Sequence, residues 1–433
     1  MSPLSFAEVR NSFIRHYETL EFRHLPRASM LHPSIPMSFV MSAGLVQIES
    51  ALESDQLASG DRFLLVQDCF RHFDKRRVTK EPHHLSLFEM SGAFEFGEFN
   101  HSKVIEKLWT FIVKELKVDP ERIWASYFEG GKIGGSKVGQ DTESYEAWRK
   151  AGAKKEQIVA LPKEENFWMQ GGMTSGNNRE GGRKCGSNAE LFFDKGKSYS
   201  CSKNCMPSCR CGRFVEFANV LFVQYDFLEQ EDTLRSIELP FAETVIGNER
   251  LAMVTQDKQE VFDIDSYRKL RAYLQKVVGA SEVKGGEVLS DMNLVIDHLR
   301  ALSVLVADAA PPPGRGGRAH IIKGLIRGVL SRLMVLGVPP EKLLETTLAK
   351  IEREFLKPDE LTPQNRKKVI EYFAMDERRF NKTVKAGQKY ILNKLKQQRE
   401  SGLTDEHVEF IEKRLGVPEI LINKIVQEEG LYL

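Results

Sequence analysis

The chain has 433 residues, of which 41% are hydrophobic and 28% charged. This length predicts two or three domains, and the apolar fraction excludes a mainly disordered protein. The 62 basic and 61 acidic residues leave a net charge of +1, which argues against a polyanion binder as a whole but leaves room for a local basic surface. No run reaches the roughly 18 apolar residues of a membrane span, and the start MSPLSFAEVRNSF lacks the apolar core of a secretory signal. We therefore expect a cytoplasmic protein.

The first part of the chain mixes two patterns. Residues 4–22 and 101–117 have helical periodicity, whereas short apolar runs predict strands. These runs are SFVMSAGLVQI, RFLLVQDCF, LSLFEMSGAFEF, RIWASYF at 122–128, AELFFD at 189–194 and RFVEFANVLFVQYDFLE at 213–229. A stretch rich in Gly, Ser and Asn at 170–186 predicts a loop.

Helical patterns dominate after about Asp257, as in YRKLRAYLQKVV and DMNLVIDHLRALSVLVADA, with PPPGRGGR at 311–318 as an interruption. Residues 321–400 carry 18 lysines and arginines against 10 aspartates and glutamates, so the neutral chain contains a basic C-terminal half. The sequence predicts a mixed domain over residues 1–257 and a helical domain over residues 258–433.

Three stretches carry candidate chemistry. In residues 66–99, Arg71 leaves one predicted strand and Phe88 and Glu89 lie on the next, which suits phosphate binding by a guanidinium and stacking of a base. A charged hairpin with a packed phenylalanine is the alternative. GNERLAMV at 247–254 begins a helix with an arginine, and NFWMQGG at 166–172 places two aromatic residues beside the loop, where a small-ligand pocket and an ordinary core both fit.

Taken in order, these stretches resemble the alanyl-tRNA synthetase family. The matching segments are MSAGLVQ at 41–47, HHLSLFEMSGAFEFG at 83–97, NFW at 166–168 and IGNER at 246–250. The likeness continues through HLRALSVLVADA and the C-terminal LTDEHVEFIEKRLGVPEILINKIVQEEGL, so it covers nearly the whole chain. It implies an α+β fold: the class II synthetase antiparallel sheet flanked by helices, followed by an all-helical tRNA-recognition domain.

The resemblance also implies ATP- and Mg²⁺-dependent activation of an amino acid. Arg71 would hold the α-phosphate, with Lys75 beside it, and Phe88 and Arg250 would stack on the two sides of the adenine, with Glu89 in the same ATP site. Arg71 and Arg250 would be the catalytic residues. Such catalysis rests on positioning and charge, so no nucleophilic side chain is required.

The amino-acid pocket implied by the family consists of Trp168, Asn219, Leu221 and Glu243. Glu243 stands where the family has an aspartate that takes the substrate ammonium, and Leu221 stands where the family has valine. Such changes of shape alter discrimination by about 1–3 kcal/mol per methylene. A small amino acid other than alanine and drift within an alanine pocket both remain open.

The segment at 200–212 contains Cys201, Cys205, Cys209 and Cys211. Four thiols within a dozen residues predict a structural zinc site that would fold a loop too short for its own core. Because the spacing is not that of a standard finger, free or redox-active thiols and an iron–sulfur cluster remain alternatives.

The loop at 311–318 occupies the place where the family reads the acceptor stem of its tRNA. Arg315 and Arg318, with Lys323 and Arg327 on the following helix, are candidate RNA contacts, and ordinary solvated helix faces are the alternative. No HxxxH…CxxxH editing pattern is found, so we expect activation and tRNA recognition without proofreading in cis.

The leading hypothesis is a ligase that forms the adenylate of alanine or a similar small amino acid and transfers it to tRNA. The alternative is a paralogue that acylates a small molecule, a carrier or a protein. A non-catalytic RNA-binding paralogue ranks last, because Arg71, Phe88 and Arg250 are all present.

Overall fold

The computed structural model describes residues 3–33, 35, 37–42, 44, 57–170, 182–279, 286–355, 363–397 and 403–428. The chain divides into two compact units. The first comprises residues 1–28, 41–69 and 88–264, and the second comprises residues 29–40, 70–87 and 265–433. The long segment of the second unit thus begins close to the predicted boundary at residue 257. Nothing in the sequence pattern assigns the two short segments to it.

The first unit contains the strands of a mixed sheet. They are β1 Arg23–His24, β2 Arg62–Phe70, β3 Leu87–Phe96, β4 Ile123–Phe128, β5 Gly131–Ile133, β6 Ser136–Val138, β7 Ile158–Leu161, β8 Phe167–Met169, β9 Arg183–Asp194, β10 Phe214–Leu228 and β11 Thr233–Gly247. Nine of them form one sheet in the order β1-β2-β3-β11-β10-β9-β4-β7, with β8 also paired to β9, while β5 and β6 form a separate hairpin.

The centre of the large sheet is antiparallel, as predicted: β3, β11, β10 and β9 pair in succession. The pairs β1–β2 and β4–β7 are parallel. Because successive residues of a strand point to opposite faces, the register of these long strands decides which side chains share a face.

Five helices of the first unit are described: α1 Phe6–Thr19, α2 His101–Trp109, α3 Thr142–Ala151, α4 Lys163–Asn166 and α5 Asn248–Thr255. Helix α1 begins with a capping box, in which the Ser5 side chain accepts from the Glu8 amide and the Glu8 carboxylate accepts from the Ser5 amide. Its buried face includes Phe6, Val9 and Phe13, as the sequence periodicity predicts. The α+β class is therefore confirmed.

One predicted strand is wrong over its described part. In the run SFVMSAGLVQI, residues 38–42 and 44 form no strand, and positions 43 and 45–48 lie outside the described residues. The carbonyl oxygens of Ile35 and Ser38 accept hydrogen bonds from the Arg318 guanidinium, at 2.7 Å each. Within the run, a side chain thus takes the Ser38 acceptor, while the Val40 carbonyl accepts from the Phe70 amide at 2.8 Å.

The described elements of the second unit outside short turns are helices: α6 Asp265–Val278, α7 Gly286–Ala307, α8 Gly317–Leu336, α9 Leu344–Phe355, α10 Pro363–Gln397, α11 Asp405–Phe410 and α12 Glu419–Glu428. The two patterns predicted as helices after Asp257 correspond to α6 and α7. Within the described ranges, no helix combines the length and apolar character that crossing a membrane would require.

Candidate active site

A row of four side chains crosses the centre of the sheet in the first unit. Glu243 on β11 is the direct partner of Phe94 on β3 and of Leu221 on β10, and Leu221 is the partner of Asn188 on β9. Direct partners on neighbouring strands project to the same face. Phe94, Glu243, Leu221 and Asn188 therefore lie side by side on one surface of the sheet.

Glu243 is a buried carboxylate at the middle of this row. It is 2% exposed, and its Oε1 accepts no hydrogen bond from any described residue. Burial raises the pKa of Glu243 from 4.5 to about 8. Burial disfavours the ionised form of this carboxyl group, and a bound cation would stabilise that form. This property is expected of a site that binds an ammonium group.

A second row lies two residues further along the same strands. Asn219 on β10 is the partner of Val245 on β11 and of Glu190 on β9. The Asn219 amide nitrogen donates to Glu216 Oε1 at 3.3 Å, while its Oδ1 accepts nothing from the described part of the chain. Two of the predicted pocket residues, Asn219 and Leu221, therefore share a face with Glu243.

The Glu190 carboxylate lies near those of Glu216 and Glu165 and beside the Asn188 amide. Burial and the neighbouring Glu216 carboxylate raise the pKa of Glu190 well above its ordinary value, and Glu165 acts in the same direction. The Asn188 amide nitrogen donates to Glu190 Oε1 at 2.9 Å. This corner of the sheet offers hard oxygen donors, which are the ligands that Mg²⁺ prefers.

Arg250 faces these carboxylates from the first turn of α5. Its Nη1 donates to the backbone oxygen of Glu216 at 2.8 Å and lies 3.4 Å from Glu216 Oε2. The helix follows directly on β11, with Gly247 in the N-cap position, so the short connection fixes where the guanidinium emerges. The side chain remains 30% exposed, which leaves part of its planar surface available for stacking.

The predicted ATP residues Phe88 and Glu89 point to opposite faces of β3. Phe88 lies six residues before Phe94 on β3, an even number, so its side chain points to the same face as Phe94. Because Phe94 is the direct partner of Glu243, Phe88 and Glu243 lie on the same face of the sheet. Glu89 is 1% exposed: Arg10 Nε donates to its Oε1 at 2.8 Å, and Asn248 Nδ2 donates to the same oxygen at 2.5 Å. Glu89 is thus held within the protein on the other side of the sheet.

Trp168, the remaining predicted amino-acid-binding residue, packs against apolar residues of the same face. It lies on β8 opposite Gly186 of β9 and packs against the cluster that contains Phe94 and Leu221. A Cβ atom at Gly186 would clash with the carbonyl oxygen of Phe222, so only glycine allows the two backbones to approach this closely.

Arg71 and Lys75 belong to the second unit. The amide of Arg71 donates to the Ser86 carbonyl at 2.9 Å, and Ser86 is in turn tied to Asp297 of α7. Lys75 lies near α8, because a Cβ built at Gly324 would be 3.1 Å from its Nζ. Their roles toward the phosphates of ATP stay predictions.

Two of the four predicted RNA contacts have partners inside the second unit. Arg318 donates to the carbonyl oxygens of His32, Ile35 and Ser38. Arg327 forms a two-pronged pair with Asp376, with its Nε 2.6 Å from Oδ2.

Arg315 is exposed, and Lys323 is partly exposed. Burial lowers the pKa of His320, and the nearby positive charges of Lys323, Lys75 and Arg327 lower it further. Positive side chains therefore lie close to His320 on α8.

Three of the four predicted metal ligands converge in the first unit. The sulfur atoms of Cys201, Cys205 and Cys211 lie within 4.8 Å of one another, and those of Cys205 and Cys211 are 3.5 Å apart. Cys209 Sγ accepts from the Met206 amide at 3.5 Å. Burial acts to raise the pKa of Cys205, but hydrogen bonds from the Cys201 amide, the Ser200 hydroxyl and neighbouring thiols lower it to about 6. The soft sulfur set fits Zn²⁺.

Sequence reasoning missed Asn188, Glu190 and Glu216. The run AELFFD predicts a strand that begins at residue 189, but β9 begins at Arg183. Extending the two-residue alternation backward from Glu190 would have placed Asn188 on the pocket face. No sequence pattern pairs Glu216 with Arg250, because their contact depends on where β10 and α5 meet.

Residues 8–433 match the family model described as tRNA synthetases class II (A). The chain is 27% identical over 438 residues to the alanine–tRNA ligase of Acetivibrio thermocellus, covering 100% of this chain and 47% of that protein. It is 29% identical over 433 residues to the alanine–tRNA ligase of Desulforamulus reducens, covering 99% of this chain and 47% of that protein. The chain thus spans about half the length of the curated relatives it matches.

Among solved structures, the apo histidyl-tRNA synthetase of S. aureus aligns with a TM-score of 0.35 and 9% identity, over 64% of this chain and 76% of that one. The pyrrolysyl-tRNA synthetase of Desulfitobacterium hafniense aligns with a TM-score of 0.32 and 11% identity, over 61% of this chain and 74% of that one.

Proposed function

The chain belongs to the class II tRNA synthetase family, and from this premise we propose that it activates a small amino acid with ATP and transfers it to a tRNA. The relatives that support this reading are named alanine–tRNA ligases. The observation that carries the proposal is Glu243: a buried carboxylate with one oxygen that accepts no hydrogen bond from the described residues, in a row with Leu221 on one face of the sheet.

In this mechanism Glu243 binds the substrate ammonium, and Leu221 and Trp168 limit the size of the side chain. The substrate carboxylate then attacks the α-phosphate of ATP. Arg71 and Lys75 offset the negative charge that builds up between the two anions, and Phe88 and Arg250 hold the adenine. Orientation and charge neutralisation supply the catalysis.

Mg²⁺ would neutralise phosphate charge when bound. Glu190 and Glu216 supply the carboxylate oxygens that would hold it, and the raised pKa of Glu190 is the response expected of carboxylates crowded together before a cation arrives. Zn²⁺ would have a structural role at Cys201, Cys205 and Cys211, with Cys209 as the nearby candidate for a fourth ligand.

The test is amino-acid-dependent exchange of pyrophosphate into ATP over a panel of amino acids. We expect exchange with one or more small amino acids and none with large ones, and Arg71→Ala should abolish it without unfolding the protein. An absence of exchange with every amino acid would contradict the proposal. For the thiol site, metal analysis should give about one zinc per chain, and less than half an equivalent would contradict the zinc assignment.

A second candidate is acylation of an acceptor other than tRNA. It is favoured by the internal pairing of Arg318 and Arg327, which leaves fewer guanidinium groups for an RNA backbone. Charging assays with total tRNA distinguish the two candidates: formation of acid-precipitable aminoacyl-tRNA supports the first, and exchange without charging supports the second.

A further inference from the structure

Asn188 is a buried polar residue on the same face of the sheet as Glu243. It is 6% exposed and lies in the row that contains Leu221 and Glu243. Two strand spacings separate its backbone from that of Glu243, which is roughly 10 Å. A small amino acid bound by its ammonium at Glu243 would therefore extend across Leu221 toward Asn188.

The orientation of the Asn188 amide follows from its neighbours. Its Nδ2 lies 2.9 Å from Glu190 Oε1 and 3.4 Å from the backbone oxygen of Glu165, and both of these atoms are acceptors. The nitrogen must face them, since an oxygen in its place would meet two acceptors. The Oδ1 atom is thereby turned away from both, and it accepts no hydrogen bond from the residues that the structure describes.

A buried acceptor without a donor destabilises the folded protein, so a specific one calls for an explanation. Asn166 is a possible internal donor, because the register Phe167–Ser187 brings it next to Asn188 at the strand edge. Asn166 is fully buried, but neither polar atom of its side chain has a partner among the described residues. The two amides do not satisfy each other.

We propose that Asn188 Oδ1 accepts a hydrogen bond from the substrate side chain, so that the amino acid is one with a short side chain bearing a hydroxyl or amino group. This inference rests on the proposed function and names its substrate class. An apolar side chain of equal size would leave the acceptor buried and unpaired, which is the strongest basis for rejecting a close analogue.

The experiment compares pyrophosphate exchange with L-serine, L-2,3-diaminopropionate, L-2-aminobutyrate and L-alanine. Serine and 2-aminobutyrate have the same number of side-chain heavy atoms, so their kcat/KM ratio isolates the donor. We expect a ratio of about tenfold or more in favour of a donor-bearing substrate. Preference for serine or for diaminopropionate identifies the donor, and either one supports the inference.

The variant Asn188→Ala should bring the ratio close to one. Ser187→Ala is the matched control: it changes the adjacent residue of the same strand, which points to the other face, and should leave the ratio unchanged.

Alanine as the best substrate, with no preference for serine over 2-aminobutyrate, would overturn the inference while leaving the activation proposal intact. A high ratio that survives in Asn188→Ala would also overturn it. Failure of exchange with every amino acid would overturn both. If Asn188→Ala does not fold, the wild-type kcat/KM ratio of donor-bearing substrates to 2-aminobutyrate still shows whether the inference is correct.

Discussion

Two buried carboxylates, one in each unit, have opposite surroundings. Asp297 of the helical unit is 1% exposed: its Oδ1 accepts from the Ser86 amide at 2.9 Å, and its Oδ2 accepts from the Ser86 hydroxyl at 2.5 Å and faces His298 Nδ1 at 2.9 Å. Glu243 of the sheet unit is 2% exposed, and its Oε1 accepts nothing from the described chain.

The difference distinguishes a buried carboxylate that stabilises the fold from one that is available to bind a ligand. Asp297 gains hydrogen bonds from the protein itself and so fixes the segment that carries Arg71 to α7. Glu243 Oε1 accepts no hydrogen bond from the described residues, so its burial destabilises the fold unless a ligand pairs with it, which is the usual cost of a binding site. If this comparison is correct, changing Glu243 should affect activity and changing Asp297 should affect folding.

The largest effect is expected for Glu243→Gln. Removing the negative charge should lower kcat/KM in the exchange assay by about 100-fold or more, because the substrate ammonium loses its buried counter-charge. The unfolding midpoint should stay the same or rise. The control is Glu238→Gln, an exposed position on the same strand, which should leave both measurements unchanged. A strongly destabilised Glu243→Gln protein would show that Glu243 is structural.

A pH dependence of stability should follow from the same residue. The pKa of Glu243 is raised from 4.5 to about 8 by burial, so between these values the folded state holds a proton that the unfolded state has released. The stabilising contribution of this proton is fully present below pH 4.5 and is lost as the pH rises toward 8. Urea unfolding from pH 5 to 8 should therefore show a wild-type stability that declines relative to Glu243→Gln. If the stabilities of the wild type and Glu243→Gln change with pH in parallel, the raised pKa of Glu243 is contradicted.

A loss of stability of about 3 kcal/mol is expected for Asp297→Ala, because the Ser86 and His298 groups would remain buried without their acceptor. The midpoint of helical unfolding in urea, followed by far-ultraviolet circular dichroism, provides the measurement. Glu371→Ala, which removes an exposed carboxylate from α10, should shift the midpoint little. If Asp297→Ala and Glu371→Ala shift the urea midpoint equally, Asp297 does not stabilise the fold more than an exposed carboxylate does.

The smallest effect is expected at the surface of the helical unit. Arg315 is exposed, so Arg315→Ala should weaken tRNA binding modestly and reduce the slope of log affinity against log salt by about 1, with no loss of stability. Arg318→Ala should instead lower the thermal midpoint, because three carbonyl oxygens lose their donor. Binding titrations at several salt concentrations and melting curves are measured for both variants. If Arg315→Ala and Arg318→Ala change binding and melting in the same way, the two arginines do not have separate roles.

Much of the fold was accessible from the sequence. Alternation and length located the strands at 62–70, 87–96 and 123–128 and the helices α6 and α7. The failures have particular physical causes. The expected strand around Ser38 is not formed, and the Ser38 carbonyl accepts a hydrogen bond from Arg318, which is far away in the sequence. Glu89, whose place in the ATP site stays a prediction, pairs with Arg10 and Asn248 on the opposite face of β3, and no sequence pattern indicates these contacts.

The sequence by itself determined the family, the α+β class and the neighbourhood of the candidate site, because these depend on local periodicity and on motifs that are contiguous in the chain. Tertiary structure alone decided which polar groups meet. Register across β11, β10 and β9 placed Glu243, Leu221 and Asn188 in one row, with Glu243 Oε1 and Asn188 Oδ1 both buried and without a hydrogen-bond partner among the described residues. Whether a buried carboxylate holds the fold or awaits a ligand depends on such partners, which come from distant parts of the chain.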